Sequence, residues 1–224
     1  MKHILTSLLL LTMISCDFKS AQDYFNEATK LEEQKKYSEA IILLDKAIEK
    51  KPDFLGAIIN RGADKSDLKK FDEAIKDFQL VLSFDKKNTL AIFNLANNKK
   101  RLKDFGSAVK YYNDALDTKG GQFIMIEAVD NPMFPNDGLS FDVNSSDIIY
   151  ERALAYYELD SLNNAANDFN HCIANNSYVV DATYYLAQVY FKANRNEEAC
   201  NFLRKALQMG YKDYLPEQLK VCDK

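Results

Sequence analysis

The chain has no tryptophan, two histidines, four prolines, four cysteines and seven glycines among its 224 residues. His3 lies in an N-terminal apolar leader, so only His171 remains for the body. That removes histidine-based metal sites and most nucleophile–histidine triads. The glycines form no phosphate-cradling loop, and neither a Gly-x-Ser-x-Gly elbow nor a Cys-x-x-Cys pair occurs. Carboxylate pairs such as Glu32-Glu33 and Glu197-Glu198 fall on faces expected to be exposed, where such pairs are usually solvated helix surface. No catalytic residue, metal or cofactor is therefore expected. The net charge is −4, or −5 once Lys2 is removed, with both signs interspersed. This is not the charge of a nucleic-acid binder, and there is no basic block for anionic lipid. Long apolar runs are also missing: the one present, Ile4 to Ile14, is too short to span a bilayer as a helix.

That run reads as a targeting segment. Lys2 and His3 precede it, and it ends in Met13-Ile14-Ser15-Cys16. The junction resembles a bacterial lipobox. The resemblance implies cleavage before Cys16, leaving residues 1–15 as signal peptide, residues 16–20 as a lipidated linker and Cys16 as the carrier of diacylglycerol and fatty acyl (palmitate-type) chains. Two or three such chains anchor a protein stably. The alternative is an ordinary secretory signal cut near Ser15. Either reading places the body outside the cytoplasm, in a disulfide-permissive compartment.

Five alanines organise the rest. Ala40, Ala74 and Ala108 are 34 residues apart, as are Ala165 and Ala199; the gap between the two sets is 57, one period plus 23. A period of this length marks a helical repeat array. Twelve residues before each alanine stands a small residue: Ala28, Gly62, Ala96, Ala153 and Ala187. Four after comes Leu44, Phe78, Tyr112, Phe169 or Leu203, and seven after comes Ala47, Val81, Ala115, Cys172 or Ala206. Small residues on facing helices let two backbones approach, and large ones a turn away fill the remaining space. One such helix pair cannot bury its apolar face, so pairs stack into a solenoid. The expected pairs are 21–34 with 38–50, 55–68 with 72–84, 89–102 with 105–118, 146–159 with 163–175, and 180–193 with 196–209. Buried in that register, Cys172 reads as a small hydrophobe.

This pattern resembles the tetratricopeptide repeat over residues 21–213, apart from an insertion. The repeats fall at 21–54, 55–88, 89–122, 146–179 and 180–213. The family's loop proline is present once, as Pro52, and its tryptophan is replaced by Tyr24, Ile58, Ile92, Ile149 and Thr183. The resemblance implies an all-α solenoid whose first helices line a concave groove that binds a protein or peptide. On that face, fifteen residues before each alanine, stand Phe25, Ile59, Phe93, Tyr150 and Tyr184. The next positions are Asn26, Asn60 and Asn94, then Glu151 and Tyr185, with Tyr157 and Phe191 two turns along the last two helices. An aromatic ladder in a groove suits an extended peptide or amphipathic helix, and an asparagine row suits its backbone. The competing reading is packing between repeats. The chaperone-tail clamp of some family members needs lysine where Phe25 and Phe93 stand, so an acidic C-terminus is not the expected ligand.

Residues 119–145 hold Gly120, Gly121, Pro132 and Pro135, with Met133 and Phe134 between the prolines. A short antiparallel hairpin after the third repeat is the simplest reading, and a long irregular loop the alternative. Asp130, Asp137 and Asp142 match no calcium loop. Residues 214–224 read as a capping helix with Pro216 in its first turn. Cys200 follows Ala199 on the face toward that cap, whose own apolar face ends in Cys222. The two sulfurs are aimed at one interface, as a disulfide or as two unpaired small hydrophobes.

The functional expectation is a lipid-anchored envelope scaffold or adaptor that binds a protein or peptide through its groove. The alternative is a structural subunit of an envelope assembly machine, similar in layout to BamD, a lipoprotein with five such repeats. Inner and outer membrane both remain open, with the outer slightly favoured.

Overall fold

The computed structural model describes residues 18–118, 143–213 and 216–222, and within them all regular structure is helical. The signal peptide, Cys16 and most of the 119–145 insertion lie outside the described residues. The helices run α1 (Ala21–Glu33), α2 (Tyr37–Lys50), α3 (Leu55–Asp67), α4 (Phe71–Phe84), α5 (Thr89–Arg101) and α6 (Phe105–Asp117). They continue as α7 (Ser145–Glu158), α8 (Leu162–Ala174), α9 (Val179–Lys192), α10 (Asn196–Gln208) and α11 (Pro216–Cys222). Ten of the eleven form antiparallel pairs. Every helix up to α10 packs on its neighbours in sequence, including α6 on α7, so the stack runs straight across the insertion.

The registered small residues explain this packing. All five organising alanines are fully buried, as are the large residues four positions on and the small ones seven positions on. Gly62 shows how close the approach is. A Cβ there would stand 2.8 Å from the Phe78 ring, which is itself fully buried. The first helices of successive pairs also touch one another, α3 on α5 and α5 on α7, which puts them on the inner side of the curve.

The turn inside each pair carries a second 34-residue period. Lys35, Lys69, Lys103, Asp160 and Asn194 all have φ between 54° and 62°. Each follows the end of a first helix. The next amide bonds back to the helix, as in Lys36 N–H to Leu31 O at 2.9 Å and Lys70 N–H to Lys65 O at 2.8 Å. This is a Schellman closure, a place where glycine is the usual residue. A glycine-poor chain fills it with lysine, aspartate and asparagine instead.

Helix starts are capped where the sequence offers oxygens. Ser20 and Asp23 form a reciprocal capping box on α1, and Asn88, Asp104 and Asn144 cap α5, α6 and α7. Val143, just before α7, is buried against the third pair. At the far end Cys200 and Cys222 are joined by a disulfide that ties α11 to α10, with Cα atoms 5.3 Å apart. Arg204 donates to the Cys222 carbonyl at 2.6 Å, and the Gln188 and Gln218 amides pair reciprocally. Cys172 is a free thiol, fully buried, and burial pushes it up to about 11, which keeps it an unreactive core side chain.

Candidate functional site

The inner face is built by α1, α3, α5, α7 and α9. Of the ladder expected on it, Phe25, Ile59 and Tyr184 are buried and offer no surface to a partner. Their burial favours the competing reading, packing between repeats. In three of the repeats the turn that follows the second helix folds back over this position. Phe54 lies 4.9 Å from Phe25, Tyr211 stacks on Tyr184 at 4.0 Å, and Tyr178 stacks on Tyr150 at 4.2 Å. Phe93 is half-buried beside Tyr112, and Tyr150 is half-buried beneath Tyr178, whose hydroxyl donates to Asp147 at 2.8 Å.

The asparagine row divides in the same way. Asn26 is exposed, and its side-chain oxygen accepts from Gln22 at 2.9 Å. Asn60 is turned toward the preceding repeat, donating to Glu32 at 3.1 Å. Asn94 is half-buried, and its backbone carbonyl accepts from Asn98 at 2.8 Å.

Tyr157, Tyr185 and Phe191 are half-buried aromatics of the last two pairs. Tyr185 stacks on Phe169 at 5.5 Å and stands edge-on to Tyr157 at 6.0 Å. Lys192 sits over the Tyr157 ring at 4.1 Å while bonding Asp160 at 2.8 Å. Burial raises the Tyr150, Tyr157 and Tyr185 phenols above their ordinary range, so they remain neutral donors at any physiological pH. Beside them Lys100 and Glu151 form an ion pair between the third and fourth pairs. The inner face therefore changes along its length, polar over α1 and α3, mixed at α5 where Phe93 stands beside Asn94, and aromatic over α7 to α9.

Behind this face lies a fork of charge that the sequence reading missed. Arg61 grips Asp77 through two nitrogens, at 3.0 and 2.6 Å, and reaches Asp45 of the preceding pair at 2.7 Å. Arg152 grips Asp168 at 2.8 Å through each of two nitrogens and reaches Asn113 of the preceding pair at 2.7 Å. Burial works against both guanidinium cations, but their carboxylate partners outweigh it and hold them charged. The signal was there to be found: both arginines precede their aspartates by 16 residues. At the same positions the other repeats have Glu27 and Leu43, Leu95 and Tyr111, and Leu186 and Phe202. A column kept in two repeats of five does not stand out.

Tetratricopeptide repeat models match residues 90–120 and 179–212. No curated protein matches the chain. Among solved structures it is similar to MamA from Desulfovibrio magneticus RS-1, at 13% identity and a TM-score of 0.69, covering 84% of this chain and 93% of that one. It is similar to YrrB, described as a TPR protein with an unusual peptide-binding site, at 18% identity and 0.66, covering 92% and 93%. It is also similar to PilW, described as a widely conserved type IV pilus biogenesis factor, at 15% and 0.65, covering 90% and 82%. At these identities the likeness is one of fold. Two helix pairs match tetratricopeptide repeats directly and all five share one register, so the chain is built as a solenoid of tetratricopeptide repeats.

Proposed function

We propose that this chain is a lipid-anchored scaffold of the bacterial cell envelope, holding a protein or peptide partner against the aromatic part of its inner face. The observation that carries the groove assignment is the half-open strip Tyr157, Tyr185 and Phe191, beside the Lys100–Glu151 pair. Aromatics with one face packed and one face wet are the side chains that bind at low entropic cost. The peptide-binding site named for YrrB and the pilus role named for PilW are compatible with such a scaffold at an envelope. The anchor rests on the Ser15-Cys16 junction behind a short apolar run. No helix among the described residues is long and apolar enough to cross a membrane.

The test is capture from detergent-solubilised envelope, with Tyr157→Ala compared with the unaltered chain. Loss of the captured partner with unchanged unfolding supports the groove. Equal capture refutes it. A stoichiometric complex that survives peptide competition would instead favour the assembly-machine role. Metabolic palmitate labelling abolished by Cys16→Ala supports the anchor, and labelling that persists excludes it.

A further inference from the structure

The seam between successive first helices has a fixed register. The residue four positions after the small inner residue of one repeat meets the residues two before and two after the small residue of the next. In the second and third repeats this brings Ser66 and Asn98 together, hydroxyl to amide oxygen, at 2.8 Å. In the first and second repeats the same two positions are Glu32 and Asp64. Two acids stand where a neutral hydrogen-bonded pair stands one repeat on. Asp64 is only 3% exposed. Oε1 of Glu32 and Oδ2 of Asp64 are both buried without a hydrogen-bond partner, the two such side-chain atoms among the described residues.

We propose that Asp64 stays protonated beside Glu32 in the folded chain, and that these two buried acids make the joint between the first two repeats sensitive to pH.

An orphaned buried carboxylate oxygen needs a donor. The neighbouring donors are already engaged. Asn60 of α3 bonds the other oxygen of Glu32. Arg61 of α3 is held by Asp77 of α4 and Asp45 of α2, and Lys65 of α3 by Asp77 at 2.7 Å. Asp67, also on α3, adds repulsion. From α5 comes Asn98, neutral and bonded to Ser66. A partner's ammonium group does not reach either orphan atom without parting α1 from α3, because neither is open to solvent. A metal is no better served: no group of three or more acidic, histidine or cysteine ligands converges among the described residues. A proton on Asp64 removes the buried charge that faces Glu32 and gives the carboxyl a hydrogen of its own.

Burial, then Glu32, then Asp67 push the Asp64 carboxyl up to about 7, and burial raises Glu32 despite its bond from Asn60. The folded form thus keeps a proton that the unfolded chain loses near pH 4. The pair's contribution is complete below that range, falls as pH rises toward 7, and is lost above it. The folding equilibrium of this unit changes by up to about tenfold per pH unit inside that window.

The experiment is carboxyl-carbon NMR titration of the full chain, with urea unfolding at pH 5 and pH 8. Asp64 is expected to titrate near pH 7. Unfolding is expected at lower urea at pH 8 than at pH 5. Asp64→Asn supplies a permanent donor, as Asn98 does one repeat on. It should shrink that difference and exceed the unaltered chain at pH 8. Glu32→Gln should do the same, and it carries the test if Asp64→Asn does not fold. Asp64 titrating in the ordinary carboxylate range, or both variants keeping the full pH difference, overturns the proposal.

Discussion

Between α1 and α3 the inner seam holds Glu32, Asn60 and Asp64; between α7 and α9 the same three positions hold Tyr157, Tyr185 and Val189. The first seam is polar and leaves two buried oxygens unpaired. The second is aromatic, with rings stacked and edge-on. Small residues, Ala28 and Gly62 in one and Ala153 and Ala187 in the other, stand at the centre of both, while the side chains around them vary freely. A repeat array can therefore keep one architecture and place binding surface at one end only.

The largest expected effect concerns the charged forks behind the two seams. Arg152→Ala leaves Asp168 buried without its ion-pair partner and should cost about 3 kcal/mol in urea unfolding. Arg61→Ala should cost less, because Asp77 keeps Lys65. Arg152→Leu combined with Asp168→Phe copies Leu186 and Phe202 of the fifth repeat and should recover most of the loss. Equal losses for the two arginines, with no recovery in the double variant, would show that the forks do not work as drawn.

The two ends also differ in how they are closed. Cys222→Ser removes the link across 22 residues and should loosen α11 by ~3 kcal/mol at most. Hydrogen exchange should rise over α11 and the end of α10 while α1 to α6 keep their protection. Uniform loss along the chain would mean that the cap supports the whole array.

Gly62→Ala sharpens the contrast between the second repeat and the others, which have alanine at that position. Helix propensity favours the change by about 0.5–1 kcal/mol, but crowding of the fully buried Phe78 ring costs about 1–3 kcal/mol. The net expectation is a lower melting temperature. A higher one would mean that the second repeat has the same room as its neighbours. The smallest effect belongs to the turns, and it is a gain. Lys69→Gly relieves a left-handed backbone at φ 62° and should stabilise by up to about 1 kcal/mol in the same melts.

Most of the fold was readable because it depends on one column of small residues. The alanines gave the helix pairs to within a residue or two, since any larger side chain there would part the helices. Three things were not readable from that column. Phe25 and Tyr184 share a helix face with Phe93 and Tyr150, but the turn residues that cover them, Phe54 and Tyr211, lie beyond the next helix, and no helical period reports it. The forks of Arg61 and Arg152 recur in two repeats of five. The left-handed turn residues hide because lysine, aspartate and asparagine do the work glycine usually signals. Tyr157 and Phe191, which the helical period puts on the groove side, are half-buried, and Tyr185, at the end of the asparagine column, stands edge-on to Tyr157.

The central claim is that a partner is held at the aromatic end of the inner face and not at the polar end. A photo-crosslinking phenylalanine analogue placed singly at Tyr157, Tyr185, Asn26 and the exposed Ile42, in the full chain inside its own cells, tests it most directly. The account predicts a discrete crosslinked partner from positions 157 and 185 and none from 26 or 42. The same partner captured from 26 or 42, with none from 157 and 185, would contradict it.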